Sequence, residues 1–456
     1  IPLGHDPDKG RNLPLDLVRQ RLGPLFADER LRKYAHNADF DLLVLAEHGI
    51  PVAGLAFDTM IAAFLLDPGR SNLGLKQLAW ERLGVEMAPI SSLIGKGEIA
   101  MAQVPVSRVA PYAGADVDMT LRLVEPLRKE LAEKQLVRLY EQVELPLIPV
   151  LIEMERHGVA LDVAFLKSMS QELAQRMGDL EERIYQTAGH PFNLNSTKQL
   201  AQVLFVELGL PAPKRTQTGF STDASVMEEL RGTHPIVDHL TEYRQLSKIK
   251  STYLDALPAL VNRRTGRLHT SYNQTGAVTG RLSSSNPNLQ NIPIRTEVGR
   301  EVRQAFIAPP GCWLLEADYS QIELRILAHV SGDPELQAAF WRDEDIHAST
   351  AATILGVSLT EVTPEMRRLA KSINFGIVYG MSDFGLSQRT GLSQEEAARF
   401  IRNYFAKYPH VQDYLEGTKS KARRDGWVET LLGRRRYFPE LQSSSRANMG
   451  LKRAAE

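Results

Sequence analysis

The sequence predicts a multidomain chain of α/β and α+β type, and three observations lead there. Its 456 residues suggest about three domains by the length prior. The composition, 43% hydrophobic and 24% charged, supplies ample apolar material for folded cores and argues against intrinsic disorder. Helical apolar spacing is interrupted by short strand-like runs, and the texture changes near residue 136, ahead of the Pro-punctuated run Glu144-Leu145-Pro146-Leu147-Ile148-Pro149. The net charge of −1 gives no global nucleic-acid signature, although Arg423-Arg424, Arg434-Arg435-Arg436 and Lys452-Arg453 form local basic clusters suited to a phosphate backbone. The single cysteine, Cys312, excludes an internal disulfide and fits a reducing cytoplasm. No apolar run approaches the roughly 18 residues of a membrane span, and no secretory signal is found.

Residues 1–135 read as a first unit. Leu42 to Leu45 run into Ala46-Glu47-His48-Gly49, a helix with Gly as its stop, and Tyr34 to Asp41 precede it. Tyr112 and Asp116 stand at i and i+4, on one face of a helix. A Tyr beside a carboxylate can orient a water toward a phosphodiester while carboxylate-bound metal ions stabilise the charge. Alone, such a YxxxD pair is common by chance. Beyond residue 136, helical patterns occupy about 163–187, and Ser196 and Thr197 are placed to cap a following helix. The stretch Tyr243 to Tyr253 mixes Lys, Arg and hydroxyls, a phosphate-tracking composition. Leu268 to Asn273 reads as a strand, and the loop Thr279 to Pro293 is rich in Ser, Asn and Pro, as an exposed connection should be.

The stretch Trp313 to Asp333 is the most informative. Trp313-Leu314-Leu315 with Ala317 reads as a short buried strand, and from Gln321 the residues Ile322, Ile326, Leu327 and Val330 recur at helical spacing up to Gly332-Asp333. Asp318 then sits at a strand end facing out of a rigid core, where a divalent metal can be held. Ser320-Gln321-Ile322-Glu323 has the pattern of a capping box, in which Glu323 would reach back to the helix start. Further on, Arg367, Lys371, Phe375 and Tyr379 are four residues apart. Steps of four drift by only about 40° on a helix, so these side chains form one stripe, cationic at its N-terminal end and aromatic at its C-terminal end. A nucleotide has the same polarity: Arg and Lys suit phosphates, and the two rings suit sugar and base.

DYSQIELR, from Asp318 to Arg325, resembles the first catalytic motif of family A DNA polymerases, the bacterial DNA polymerase I group. The stripe resembles the fingers helix of that family, and Thr279-Gly280-Arg281-Leu282-Ser283-Ser284 with Pro287-Asn288-Leu289-Gln290-Asn291-Ile292-Pro293 resembles its TGRLSS…PNLQNIP signature. Asn37-x-x-x-Asp41, Phe57-Asp58-Thr59-Met60 and Tyr112-x-x-x-Asp116 resemble the 3′–5′ proofreading exonuclease domain that accompanies it. The resemblance implies a ribonuclease H-like exonuclease domain over 1–135, then a right-hand polymerase domain over 136–456. Within that domain the thumb falls at about 160–265, a partial palm at about 266–332 and fingers at about 333–445. It implies Asp318 as the catalytic metal ligand, joined by the backbone carbonyl of Tyr319. The nucleotide would be bound by Tyr319, Gln321, Glu323, His347, Arg367, Lys371, Phe375 and Tyr379. Glu323 becomes a steric gate against a ribose 2′-hydroxyl, and Phe375, where some relatives carry Tyr, the form that discriminates against dideoxynucleotides. Arg281 would read the minor groove at the primer end, Arg295 would lie near the nucleotide, and Asn37, Asp41, Tyr112 and Asp116 would be exonuclease residues, with Asp41 and Asp116 on metal.

The implied chemistry is attack of a primer 3′-hydroxyl on the α-phosphate of a deoxynucleoside triphosphate with two Mg²⁺ ions. The implied partners are primer-template DNA and deoxynucleoside triphosphates, for a monomer working in the cytoplasm at the nucleoid, with no membrane involved. Two departures stand out. The first exonuclease motif, an Asp-x-Glu pair, is absent, and Asp39 with Asp41 does not replace it, so proofreading should be poor or lost. No His-Asp-Glu tripeptide follows residue 380, so the second catalytic carboxylate of the family is missing. The chain starts at Ile1 and ends in the helix-favouring run Leu451 to Glu456, and is expected to be a fragment cut at both ends, binding DNA and nucleotide with little catalysis. A single-subunit RNA polymerase, a stand-alone exonuclease and a non-catalytic nucleic-acid-binding module are the competing expectations. Glu323 and the exonuclease-like unit speak against the first, and residues 136–456 against the second.

Overall fold

The computed structural model describes residues 1–212, 215–216, 219–294 and 296–442; Arg295 and Lys452-Arg453 lie outside them. The chain divides into two compact units, Ile1–Leu314 and Leu315–Glu456.

The first unit holds two cores. One is built on the helix Thr59–Leu66, in which every residue from Ile61 to Leu66 is buried. A helix that is apolar all round can only sit inside. Asp58 starts it: Oδ1 accepts from the backbone N–H of Met60 (2.8 Å) and Ile61 (3.0 Å), while Oδ2 accepts from Ala38 at the start of the helix Ala38–Glu47 (2.6 Å). One carboxylate, 1% exposed, thus satisfies the orphan donors of two helices. Asp58 also ends the strand Leu55–Asp58, which pairs in parallel with Lys33–Ala35. Across this hub lies the helix Val106–Glu133, with Met119, Leu123, Leu127 and Leu131 buried at steps of four. Leu136, Leu139, Tyr140, Ile148 and Ile152 also belong to this core, so residues beyond 135 pack with the exonuclease-like part.

The second core pairs the helix Val163–Ala188, capped by Asp162, with the helix Pro235–Ile249. A three-stranded antiparallel sheet, Arg267–Leu268, Val159–Leu161 and Phe306–Ile307, closes one end. The single strand expected over Leu268 to Asn273 is broken in two. Ser271–Asn273 pairs instead with Ser283–Ser285. The break has a local cause: His269 Nδ1 bonds to the Glu155 carbonyl (2.7 Å), and Thr270 Oγ1 bonds to Ser284 Oγ and to the Pro287 carbonyl (2.8 Å each). These side-chain bonds turn the backbone from one sheet into the next.

The second unit is mainly helical, and its starts and stops follow local chemistry. Gly332, left-handed at φ 63°, ends Ile322–Ser331, and Asp333 caps Pro334–Trp341. Asp345 caps Ile346–Leu355, Thr363 caps Pro364–Val378, and Ser393 with Glu396 closes a capping box on Gln394–Lys407. Their buried faces meet through Leu324, Leu327, Ile373, Ile377, Phe400 and Tyr404. The helix Pro409–Asp425 leads to an antiparallel hairpin, Trp427–Glu429 with Arg435–Tyr437. No helix among the described residues is long and apolar enough to cross a membrane.

Two local expectations fail here. Trp313 to Ala317 is neither a strand nor buried; Trp313 is 94% and Leu315 92% exposed. A strand exists only when a neighbour takes its hydrogen bonds, and no described residue pairs with this run. The capping box at Ser320 to Glu323 is also not formed. The helix begins at Ile322 after Gln321, whose φ of 53° is left-handed, and no side chain caps it. Glu323 is engaged elsewhere.

Candidate functional site

Arg367, Lys371 and Phe375 share one face of the helix Pro364–Val378, and Tyr379 follows at its C-cap. Arg367 and Lys371 are exposed, Phe375 is half-buried, and Tyr379 is 61% exposed. The opposite face, through Ala370, Ile373 and Ile377, is buried. The local period of the helix therefore delivers a cationic-to-aromatic edge on the side away from an apolar, buried one. Lys371 Nζ lies 6.0 Å from the Phe375 ring centroid, at the edge of cation–π range.

Side chains from other helices complete the face. Tyr379 donates its hydroxyl proton to Glu323 Oε1 at 2.6 Å, which joins the start of the helix Ile322–Ser331 to the end of the stripe. Arg367 Nε donates to Asp345 Oδ2 at 2.5 Å. Partial burial would raise the Asp345 carboxyl, but the Arg367 guanidinium and the backbone N–H groups of Ala348 and His347 hold it below the usual range. His347 is buried, 2% exposed, with its ring 5.9 Å from that of Phe375. Asn374 Nδ2 lies 3.0 Å from His347 Nδ1. Burial lowers the His347 pKa, and the cations of Arg367 and Lys371 lower it further against the opposing Asp345. Gln321 has a buried Oε1 without a hydrogen-bond partner among the described residues. Asp318 is exposed in the irregular segment before the helix.

These oxygen donors bear on the implied Mg²⁺. The Asp318 carboxylate and the neighbouring Tyr319 carbonyl are hard ligands, and Mg²⁺ is commonly held by one or two carboxylates plus substrate phosphates and water, so the donor set fits. No group of three or more His, Cys, Asp or Glu residues among the described residues could hold a metal by itself.

A second site lies in the first unit. A cavity of about 780 Å³ gathers His36, Asp41, Lys76, Tyr112 and Asp116; Asn37, exposed and left-handed at φ 66°, is not part of its lining. Burial raises the Asp41 and Asp116 carboxyls, reinforced at Asp41 by Asp58 and opposed at Asp116 by Lys76. His36 bonds Thr59 through Nδ1 and leaves a buried Nε2 without a partner among the described residues; burial depresses its pKa. Lys76 was not foreseen. From the helix Leu75–Leu83 its ammonium donates to the Tyr112 hydroxyl (3.0 Å) and to the Ala88 carbonyl (2.5 Å), and lies 3.9 Å from Asp116 Oδ1. A cation thus sits against the Tyr–Asp pair, and a metal ion at Asp116 would have to displace it. Only the packing of two distant helices creates that contact, and no spacing in the sequence signals it. Asp39, beside Asp41 in sequence, is pushed up to about 7 by burial, with Glu155 and Asp58 adding to the effect.

Arg281 is exposed in its loop. Nearby in sequence, residues 287–288 and 290–294 with Thr296, and the end of the helix Pro235–Ile249, line a cavity of about 660 Å³ that includes Lys248, Thr252, Asn288 and Asn291. The Tyr253 hydroxyl bonds the Asn291 carbonyl across it.

Comparison with known proteins gives these sites a context. A model described as DNA polymerase family A matches residues 163–456, and a 3′–5′ exonuclease model matches residues 9–132. DNA polymerase I of Chloroflexus aurantiacus is 51% identical over the whole chain, which covers 48% of that protein. DNA polymerase I of Pseudomonas aeruginosa is 45% identical over the whole chain, covering 50% of it. The thermostable DNA polymerase I of Thermus thermophilus is 54% identical over 73% of the chain and 40% of its own length. The chain thus spans about half the length of the curated relatives it matches. Among solved structures, the POL domain of Pol1 from M. smegmatis, in complex with DNA primer-template and dNTP, superposes with a TM-score of 0.84. That match is 39% identical and covers 98% of this chain and 75% of that one.

Proposed function

Because this chain belongs to DNA polymerase family A, we propose that it is the nucleotide- and DNA-gripping part of a DNA-dependent DNA polymerase of the DNA polymerase I type, one that adds deoxynucleotides to a primer 3′ end in replication and repair. The observation that carries this reading is the exposed edge Arg367, Lys371, Phe375, Tyr379, cationic at one end and aromatic at the other. The triphosphate lies along it, phosphates at Arg367 and Lys371, sugar and base at Phe375 and Tyr379. Glu323, held by the Tyr379 hydroxyl, excludes a ribose 2′-hydroxyl, because a carboxylate fixed in one rotamer cannot yield to the extra oxygen. Gln321 and His347 add polar contacts, and Arg281 with Lys248 and Asn288 serves the primer-template.

Asp318 and the Tyr319 carbonyl would hold Mg²⁺, which supplies charge neutralisation on the phosphates and a lowered pKa for the attacking hydroxyl. The sequence offers no second acid of the His-Asp-Glu type, so the chain by itself is expected to bind without appreciable extension. The Lys76 contact supports a matching reading of the exonuclease-like pocket, which keeps its shape without metal-assisted hydrolysis. A soluble monomer acting at the nucleoid belongs to the same proposal.

Titration with dATP and Mg²⁺, followed by a labelled primer-template, tests it. Saturable binding of both is expected, lost for dATP in Lys371→Ala. Absence of dATP binding sinks the polymerase reading, and robust primer extension by the chain alone overturns the binding-only assignment.

A further inference from the structure

Asn374 is the one polar side chain that the helix Pro364–Val378 buries, and it is 0% exposed. Its Nδ2 lies 3.0 Å from His347 Nδ1 and 3.3 Å from Thr350 Oγ1, both on the helix Ile346–Leu355, while its Oδ1 has no hydrogen-bond partner among the described residues. The orientation of the amide follows from this arrangement. With Nδ2 toward His347 and Thr350, one acceptor is left unused; turned over, the amide would leave both N–H groups facing a side without an acceptor. Two orphaned donors cost more than one orphaned acceptor. His347 Nδ1 must therefore accept, and its proton sits on Nε2.

We infer that Asn374 is a positioning residue that locks His347 as the neutral Nε2–H tautomer, so that the ring offers one fixed N–H donor to a phosphate oxygen of the nucleotide. The ligand in this inference rests on the nucleotide reading above; the tautomer does not. Three features support the lock. The Phe375 ring, 5.9 Å away, limits rotation of the imidazole. A second proton on Nδ1 would press N–H against the buried N–H of Asn374. Arg367 and Lys371 also oppose a third cation, and Asp345, the balancing anion, is already bonded to Arg367. Lys407, from the helix Gln394–Lys407, is engaged with Ser349 and Thr353. Among the described residues the hydrogen bond of the His347 ring runs through Nδ1 to Asn374, which leaves Nε2 without a competing partner there. A neutral donor grips phosphate less tightly than an imidazolium, which suits a group that must release its product.

The test uses the full chain labelled with ¹⁵N-histidine, which contains 11 histidines, with the His347 signals assigned by loss in His347→Gln. In the wild type, without nucleotide, Nδ1 should show the unprotonated shift and Nε2 the protonated one near neutral pH. Asn374→Asp, whose carboxylate accepts rather than donates, should move the proton to Nδ1 and raise the ring pKa. Asn374→Leu should leave the tautomer unpinned and weaken dATP binding roughly twofold, the cost of selecting the competent one of two neutral tautomers. A protonated Nδ1 in the wild type overturns the inference without need of any variant, as does an unchanged tautomer in Asn374→Asp. If the tautomer is as stated but dATP does not bind the wild type, the failure lies with the nucleotide reading, because the lock is then present without its ligand.

Discussion

The Tyr379 hydroxyl reaches Glu323 across 56 residues of sequence, and this one bond separates two roles for the carboxylate. As a helix cap, Glu323 would change stability; as a gate, it would change selectivity. Tyr379→Phe is expected to shift the unfolding free energy by less than about 1 kcal/mol, as for an exposed pair. The ratio of ATP to dATP dissociation constants should fall roughly threefold to tenfold as the carboxylate loses the hydroxyl that orients it. Titrations with both nucleotides read this directly, and an unchanged ratio removes the gate. Arg367→Lys should weaken dATP about tenfold with little effect on the melting temperature, since a point charge cannot replace a planar fork. Asp39 makes a pH prediction. Burial, with Glu155 and Asp58, pushes its carboxyl up to about 7, well above the ordinary aspartate range, so folding favours the protonated form. That contribution is complete below about 4 and is lost as pH rises through about 7. Asp39→Asn should flatten the decline in stability between these limits and stabilise the protein at pH 8 by about 1–2 kcal/mol, allowing for solvent screening of a half-buried group. Thermal melts at pH 5 and pH 8 provide the check.

Helices show what a sequence can and cannot announce. The stripe was legible because a four-residue step on a helix depends on nothing beyond the helix itself, and the stops at Gly49 and Gly332 depend only on a left-handed φ that glycine allows. Tyr112 and Asp116 were legible for the same reason. The strand expected at Trp313 to Ala317 failed because pairing needs a second segment, and an apolar run does not say where its neighbour is. The capping box at Glu323 failed because a tyrosine from another helix outcompeted a local backbone N–H. Lys76 was invisible for the converse reason: its partners come from a helix that starts 30 residues later, at Val106. Asp333 tests how far caps hold these elements together. It is 0% exposed, with one oxygen accepting from Leu336 N (3.0 Å) and the other from His410 N (3.2 Å). Asp333→Ala strands both donors and should cost the second unit about 2–3 kcal/mol, read from the shift of its denaturant midpoint. A loss below about 0.5 kcal/mol would show the two caps to be redundant.

Across the whole molecule, Trp313, Leu314 and Leu315 stand out as a contiguous apolar ribbon open to water, at 94%, 62% and 92% exposure. Its backbone donors and acceptors have no ladder to join among the described residues. Such a ribbon combines the two ingredients of uncontrolled association: greasy area that gains about 25 cal/mol for each Å² it hides, and a bare edge that any extended segment can zip onto. The purified chain should therefore scatter light increasingly with concentration and warming, and Leu315→Lys should suppress this while leaving dATP affinity unchanged. A single charge on that ribbon is thus expected to decide how long a concentrated solution of the chain stays clear.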